Sequence, residues 1–583
     1  MRNPYTIRLP FRIGSEEKAV SLQWDSDVDV VVVGSGAAGL TAAVSAAEGG
    51  LSVRLLEKSS LLGGTTAVGG GGIWIPGNPH VRAMGLDDDR DEAIAYALST
   101  TGGQAPDPAL VEVYVDKALE ATAFLEATTP VEFFVAEVFS DYYLDRAGSR
   151  RLGRTLDNAP YPARDELPEW DARIRRTPHY PALTLDEISR GAPGDGDRSG
   201  GAGAAPFGPA ILAIAEEREA AGVRTLGEAL VARLLRGALD LGVAVDTDAP
   251  VRRLVLDDDG AVTGVVAELG GERHAIRAHA GVVLASGGFE WNRDLVRAYL
   301  GVSELKPVSA PTNVGDGLIM AQEAGALMGN MTEAWWFPTT GPGAETYDGA
   351  PLYQVGTPRS EPGCIVVNAA GRRFANEACC YADFGRTLRA FDSVAGRQAN
   401  ERAWAIFDRT VRDRIELGGL RPGAPTPAWV REGDTLEQLA RRAGIDPDGL
   451  ADEVERFNGF VADGEDRDFA RGTLWFEGFT SGGPSPETAL APIGTPPFYA
   501  VEIHNGVLGT NGGPRIDADA RVLSARGGVV EGLYAAGNVA ACVFGPGYPA
   551  GGATLGPAIT FGYLAGRHLA TRRAAAAQER AAT

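Results

Sequence analysis

The run Val28-Asp29-Val30-Val31-Val32-Val33-Gly34-Ser35-Gly36-Ala37-Ala38-Gly39 decides the fold, together with the Ala-rich stretch Leu40 to Glu48 and the apolar segment Leu51 to Glu57 that follow it. A near-continuous β-branched run reads as a parallel strand buried on both faces. The tight glycine turn, the helix and the second strand then complete a βαβ unit about thirty residues long. The three glycines differ in what they do. Gly34 makes the turn, Gly36 lets the backbone approach a pyrophosphate, and Gly39 allows close helix–strand packing. The helix N-terminus adds free N–H groups and the positive end of the dipole. Glu57, eighteen positions past Gly39, is placed to accept hydrogen bonds from a ribose diol. GxGxxG alone is weak in a chain with 77 glycines, but a strand before it, a helix after it and the acid beyond make a dinucleotide the expected ligand.

The whole chain has 583 residues, about four times the ~150-residue domain scale, so several cores are expected. Its 54 Lys and Arg against 77 Asp and Glu give a net charge of -23, which repels a phosphate backbone or an anionic lipid surface. Nucleic acid is therefore not an expected partner. The four cysteines (Cys364, Cys379, Cys380, Cys542) lack metal-ligand spacing, so no structural metal is expected and a reducing compartment is. With no apolar signal region and no apolar run of eighteen residues, no transmembrane segment is expected, and the cytoplasm is the default location.

Outward from the first unit, residues 1–24 read as a polar extension and 191–208 as a Gly/Ala/Pro-rich surface loop. Val245 to Val251, Arg253 to Leu256 and Val262 to Ala267 read as the strands of a meander, with Asp257 to Gly260 as a turn. The strand Gly281 to Ala285 runs into Ser286-Gly287-Gly288, a second strand-to-glycine junction. Near the C-terminus Tyr534 to Asn538 closes another strand, Pro557 to Leu569 reads as a long helix, and the last fourteen residues read as a fraying tail.

In this order, VVVGSGAAGL, LEKSSLLGGTTAVGGGGIWIP, GVVLASGGFEWN, NVGDGLIMA, GRRFANE and LYAAGNV resemble flavoproteins of the fumarate reductase and 3-ketosteroid dehydrogenase superfamily over nearly the whole chain. The resemblance implies an α/β protein: a Rossmann-like FAD-binding domain, with parallel sheet and β-meander, built from both chain ends, and an inserted α+β substrate or capping domain. On this chain that gives an extension at 1–26, FAD-binding segments at 27–331 (with a loop-rich insertion at about 145–208) and 503–569, a substrate domain at 332–502 and a tail at 570–583. FAD, held non-covalently, fits better than NAD because the second glycine box, Gly63-Gly64-Thr65-Thr66 and Gly69 to Gly72, supplies small residues for an isoalloxazine ring. The cofactor residues implied are Gly34, Gly36, Ala37, Ala38, Gly39, Glu57, Lys58, Gly63, Gly64, Thr65, Thr66, Gly70, Gly71, Ala285, Ser286, Gly287, Gly537, Asn538, Thr554 and Leu555.

Three stretches distinguish the branch. Tyr381 stands five residues after Asn376, where fumarate reductases carry a proton-donating arginine, and Leu508 takes the place of a clamp histidine. Asn376 to Arg386 instead resembles the NExxxYxxFGR stretch of 3-ketosteroid Δ1-dehydrogenases, Tyr548 to Gly552 their YPxxG, and Phe139 to Tyr142 with Gly153-Arg154 their FxDY and GR. The resemblance implies 1,2-desaturation of a 3-oxosteroid, a small hydrophobic ketone: a hydride passes to flavin N5, a proton to Tyr381 supported by Tyr142, and the C3 carbonyl sits between the Tyr548 hydroxyl and the Gly552 N–H. Tyr143 adjoins Tyr142 and is an alternative support. An ordinary tyrosine has a pKa near ~10, so Tyr381 needs help to ionise, and the Tyr142 hydrogen bond is the candidate. A 4-dehydrogenase of 3-oxo-5α-steroids or a fumarate-reductase-like enzyme remains the alternative, with a non-enzymatic flavin carrier behind both; the electron acceptor is unknown. Phe139, Trp336 and Phe337 are candidate walls, His504 reads as a turn residue, and Cys379-Cys380 reads as small apolar lining. Cys380 replaces a usual proline, Ala550-Gly551 replaces Gly-Pro, and the 145–208 segment is longer than is typical, departures that bear on substrate identity.

Overall fold

The computed structural model describes residues 23–105, 107–190, 207–417, 422, 424–478 and 485–582. Its largest sheet has the strand order Arg521–Leu523, Val529–Ala535, Glu272–Leu284, Ser26–Val33, Val53–Leu56 and Ala244–Asp246. All neighbours from Val529–Ala535 to Ala244–Asp246 run parallel. Val30, Val31 and Val32 are fully buried at its centre, because helices cover the sheet and leave the β-branched run no wet face. Helix Ala37–Glu48 is Ala- and Gly-rich, which lets the C-terminal helix pack on it closely: a Cβ on Gly562 or Gly566 would collide with the backbone of Ala38 or Ala42.

The sequence reading of the meander needs two corrections. Val245 to Val251 is not one strand: Ala244–Asp246 joins the parallel edge, and the chain turns before Val251–Leu256. Asp248 takes a positive φ of 54° and Pro250 has no N–H to give a ladder, so the run breaks there. Gly281 to Leu284 is in turn the end of a long strand, Glu272–Leu284, whose first half pairs antiparallel with Val262–Leu269, and Ala285 lies just beyond it. One strand thus serves both meander and parallel sheet. The helix expected to stop at Leu569 starts at Leu555 and runs to Ala582, since its Ala/Arg composition favours helix and Arg572–Glu531 (3.2 Å) and Arg573–Asp29 (3.1 Å) tie it to the sheet. Within 145–208, Thr155–Asn158 forms the middle strand of a small antiparallel sheet and Leu185–Arg190 is helical, while 191–206 lies outside the described residues, as does most of the 1–24 extension.

A second, four-stranded antiparallel sheet runs in the order Cys364–Asn368, Ala403–Asp408, Phe498–Ile503 and Arg431–Gly433. Strand alternation divides its apolar side chains: Ile365, Val367 and Ile406 pack on one face with Leu450 and Phe457, and Cys364, Val366 and Phe407 pack on the other with Phe384. Phe384 belongs to helix Tyr381–Thr387, so this second face positions the start of that helix. Immediately before it, Arg373 meets Glu377 at 2.6 Å and Asp466 at 2.8 Å, and Arg471 meets Glu377 at 3.3 Å, all with side chains fully removed from water. Arg373 and Glu377 of GRRFANE thus form, with Asp466 and Arg471, a buried ionic buckle behind Tyr381. Glu377→Ala would leave Arg373 and Arg471 short of a counter-charge in the interior, at an expected cost of about 3–5 kcal/mol. Urea denaturation of the full chain checks this; a transition midpoint equal to wild type would show that the buckle contributes no stability.

Candidate active site

One cavity of about 920 Å³ runs from the first glycine turn to the three motif tyrosines. Of the expected cofactor residues, all but Gly39 and Gly63 line it. Gly39 instead abuts the Gly34 carbonyl, the close helix–strand contact expected of it. Gly63 donates its N–H to the Ser35 hydroxyl at 2.9 Å. A Cβ at Gly36 would meet little beside the Thr66 hydroxyl, so this glycine leaves its side of the cavity open. Ser35 N–H and hydroxyl donate to Glu57 Oε2 (3.2 and 2.7 Å) and Ser59 N–H to Oε1 (2.9 Å), fixing the carboxylate while leaving lone pairs over.

The second glycine box is held by side chains that also line the cavity. Thr66 Oγ1 accepts from Ala37 N–H at 3.0 Å, and Thr65 Oγ1 accepts from Asn313 Nδ2 at 2.8 Å. Lys58 pairs with Asp316. The Ser286 hydroxyl lines the same cavity, is buried, and has no hydrogen-bond partner among the described residues. An extended cradle of backbone, small residues and an unsatisfied buried hydroxyl is what a bound dinucleotide would complete.

At the other end, Tyr142, Tyr381 and Tyr548 converge from segments more than 150 residues apart. The Tyr142 and Tyr381 hydroxyls are 3.1 Å apart. Tyr548 stacks on Tyr142 (5.8 Å between ring centres, 6° between planes) and meets Tyr381 edge-on at 5.3 Å. Tyr143 points away and donates to Asp383 Oδ2 at 2.8 Å, so Tyr142 and not its neighbour faces Tyr381. Gly552 has φ of 95°, and a Cβ there would run into the Ile73–Trp74 backbone, so both conformation and packing demand glycine. Its N–H has no acceptor among the described residues.

Removal from water pushes all three phenols well above the ordinary tyrosine range, and at Tyr381 the neighbouring Tyr142 and Tyr548 push the same way. The Tyr142 contact is formed as expected, yet in this state it does not lower Tyr381. All three rest as neutral hydroxyls.

Phe139 and Phe337 line the cavity, Phe337 packing 4.9 Å from Tyr381. Trp336 does not: it is fully buried in a separate core under Arg389. Trp335 is the one beside the site, edge-on to Tyr548 at 5.3 Å. Cys379 and Cys380 are free thiols packed behind the cavity wall and not lining it. His504 is no turn residue: it forms a bridge with Thr339, and its ring bonds the Gly341 carbonyl at 2.9 Å, outside the lining.

Sequence reasoning missed Phe476, which stacks edge-on against Tyr142 at 4.9 Å and is brought there by Asn376 Nδ2 donating to Glu477 Oε1 at 2.6 Å. The aromatic pair Trp475-Phe476 was its only signal. His179, Tyr180 and Arg359 also line the cavity and carry no motif. Arg359 donates to the Glu377 and Cys379 carbonyls, bracing the turn before Tyr381.

Residues 29–555 match the family described as FAD binding domain. The chain is 40% identical over 560 residues to a 4-oxocyclohexanecarboxylate 2-dehydrogenase of Sinomonas cyclohexanicum, covering 94% of each chain. It is 36% identical over 570 residues to a 3-oxosteroid 1-dehydrogenase of Mycobacterium tuberculosis, covering 93% of this chain and 98% of that one. Among solved structures it is similar to a 3-ketosteroid Δ1-dehydrogenase of Sterolibacterium denitrificans in complex with 1,4-androstadiene-3,17-dione, at 33% identity and a TM-score of 0.83, over 94% of this chain and all of that one. Among the described residues no helix is long and apolar enough to cross a membrane. The glycine cradle, the mixed sheet and these likenesses over nearly the full chain agree: the protein belongs to the FAD binding domain family and is an FAD-dependent oxidoreductase acting on CH–CH bonds.

Proposed function

We propose that the protein desaturates a cyclic ketone beside its carbonyl, with Tyr381 receiving the α proton and Tyr548 hydroxyl and Gly552 N–H holding the carbonyl oxygen. The observation that carries this reading is the convergence of three desolvated phenols, two of them 3.1 Å apart, beside a backbone N–H that has no acceptor among the described residues. When bound, FAD supplies the acceptor for the hydride that leaves the β carbon. In this reading a Rossmann-like domain from 27–331 and 503–569 holds it through Gly34 to Ala38, Glu57, Lys58, the second glycine box, Ala285 to Gly287, Gly537-Asn538 and Thr554-Leu555, and 332–502 is the inserted capping domain.

Burial raises all three phenols, which suits the two proposed donors and opposes the proposed base. Tyr548 stays protonated over the physiological range, the state needed to donate to an oxygen that gains charge as the α proton leaves. Tyr381 must act as phenolate, the form its burial makes scarce, and Tyr142 is the donor placed to hold that phenolate once it forms. Phe139, Phe337 and Phe476 keep water from the reacting carbons.

For the substrate, the 1,2-bond of a 3-oxosteroid is the reading we favour. Glu345, Glu416 and Glu477 face the cavity, Arg359 already serves two carbonyls, and burial holds His179 down to about 4 and so neutral, a balance that suits an uncharged ketone. The 40% identity to an enzyme of 4-oxocyclohexanecarboxylate favours a second reading, a monocyclic keto acid.

Anaerobic titration of the yellow protein with 4-androstene-3,17-dione and, separately, 4-oxocyclohexanecarboxylate tests both. Bleaching by the steroid alone supports the first reading, bleaching by the acid alone the second, and an unbleached flavin with either sinks the ketone assignment. Tyr381→Phe is expected to slow bleaching by ~10²–10⁴-fold while flavin is retained. Because the Tyr381 phenolate is the working form and its pKa is raised, the wild-type rate should climb with pH from neutral into the alkaline range; a flat profile argues against a tyrosine base. The same raised pKa values make folding weaker, not stronger, once pH passes ~10, where unfolded tyrosines ionise first, so the climb ends in alkaline inactivation. Gly36→Val, which fills the open side of the turn, should yield protein with little bound flavin by its visible absorbance.

A further inference from the structure

We infer that Arg154 is a positioning residue for this reaction: its guanidinium, gripped by two buried carboxylates, fixes the loop bearing Tyr142 against the loop bearing Tyr548. The inference rests on the dehydrogenase reading above. Arg154 is 2% exposed and does not line the cavity. Its Nη2 lies 2.6 Å from Asp88 Oδ1, its Nε donates to Asp88 Oδ2 at 2.9 Å, and its Nη1 lies 2.6 Å from Asp141 Oδ2.

Asp141 directly precedes Tyr142 and is itself fully enclosed. Its Oδ1 accepts from the Trp74 indole at 2.8 Å and its Oδ2 from Arg150 N–H at 2.9 Å. From there the backbone crosses to the other loop. Asp141 forms a bridge with Ala550, and Tyr142 N–H donates to the Pro549 carbonyl at 2.9 Å. The Tyr96 hydroxyl donates to that same carbonyl at 2.6 Å and accepts from Tyr143 N–H at 3.3 Å. Pro549 is the residue after Tyr548. The guanidinium is thus one hydrogen bond and one residue from Tyr142, and a second hydrogen bond, from Tyr142 N–H to the Pro549 carbonyl, leads on to the neighbour of Tyr548, whose ring stacks 5.8 Å from that of Tyr142.

Stability does not account for such a cluster. Buried ionic groups of this kind can often be replaced by apolar side chains with no loss of stability. What an Arg fork adds is direction: two nitrogens on Asp88 and a third on Asp141 fix the orientation of the Asp141 carboxylate and the bridge that Asp141 makes with Ala550. Direction matters here, because a displacement of about 1 Å in a reacting group can cost ~10²-fold in rate. The Tyr142 and Tyr381 hydroxyls meet at 3.1 Å, a hydrogen bond that tolerates little movement.

The test uses the flavin-loaded full chain carrying Arg154→Met, Arg154→Lys or Asp88→Asn, each alone and combined with Tyr142→Phe. Bleaching by whichever ketone reduces the wild type should slow by roughly 10- to 100-fold in Arg154→Met, and less in Asp88→Asn, with the half-saturating ketone concentration changed by under about threefold. Arg154→Lys keeps the charge without the fork and should not recover the rate. On a Tyr142→Phe background the same changes should cost clearly less than on the wild type, because part of their effect runs through the Tyr142 hydroxyl; fully additive losses would overturn the inference, as would wild-type rates in the single variants. Should Arg154→Met fail to fold, Asp88→Asn, which keeps the shape of the cluster, carries the same comparison. Crystal structures of the variants give a reading that needs no turnover: the hydroxyl pair should open from 3.1 Å beyond hydrogen-bond range, and an unmoved pair overturns the inference. A wild type that neither ketone bleaches sinks the dehydrogenase reading instead, and the crystal structures then decide the matter of Arg154 alone.

Discussion

The exclusion of water from three phenols is the constraint on which the rest of the site depends. Tyr142, Tyr381 and Tyr548 stand on one cavity wall, and burial holds each in its neutral form. That serves two of the three proposed roles directly, since a carbonyl-holding hydroxyl and a supporting hydroxyl must both be donors. It opposes the third. The proposed base works only if charge arising at the carbonyl oxygen, opposite Tyr548 and Gly552, is stabilised as the proton reaches Tyr381, so donor and base have to be coupled through the substrate.

Much of this was legible in the chain. The strand, turn and helix from Val28 to Glu48 formed as read because β-branched periodicity and glycine spacing act locally. The three tyrosines were each named from a short motif, and they converge on one cavity wall. Val245 to Val251 was split by a positive-φ Asp248 and by Pro250, and Trp336 was turned into the core while its neighbour Trp335 took the place beside Tyr548, a choice made by strand alternation that composition does not show. Phe476, His179 and Tyr180 reach the cavity through long-range packing, and beyond the aromatic pair Trp475-Phe476 the sequence marks none of them.

The motifs themselves divide into two kinds of residue. Tyr381, Tyr548 and Gly552 face the cavity, whereas Arg154, Asp141, Arg373 and Glu377 never reach it and serve as buried ionic braces behind it. Arg386 belongs with them, donating to the Pro546 carbonyl and so tying the Tyr381 helix to the Tyr548 loop. A wall assembled from three distant segments needs such braces, because each loop alone would be free to shift by the fraction of an ångström that separates a hydrogen bond from a gap.

Specificity has to come from elsewhere in the cavity. A ring ketone presents the same carbonyl, α hydrogen and β hydrogen to the tyrosines whether it is one ring or four, so the phenols cannot distinguish them. Discrimination falls to the far walls, where His179, Tyr180 and Leu185 come from the long 145–208 segment and Pro358 and Arg359 from the strand-flanking turn of the second sheet. Apolar walls separate substrates by only about 1–3 kcal/mol for each methylene-sized difference, whereas an unmatched buried charge or polar group costs more. The carboxylates and the braced Arg359 guanidinium on those walls therefore weigh more in the choice between a neutral steroid and a keto acid than does the size of the cavity.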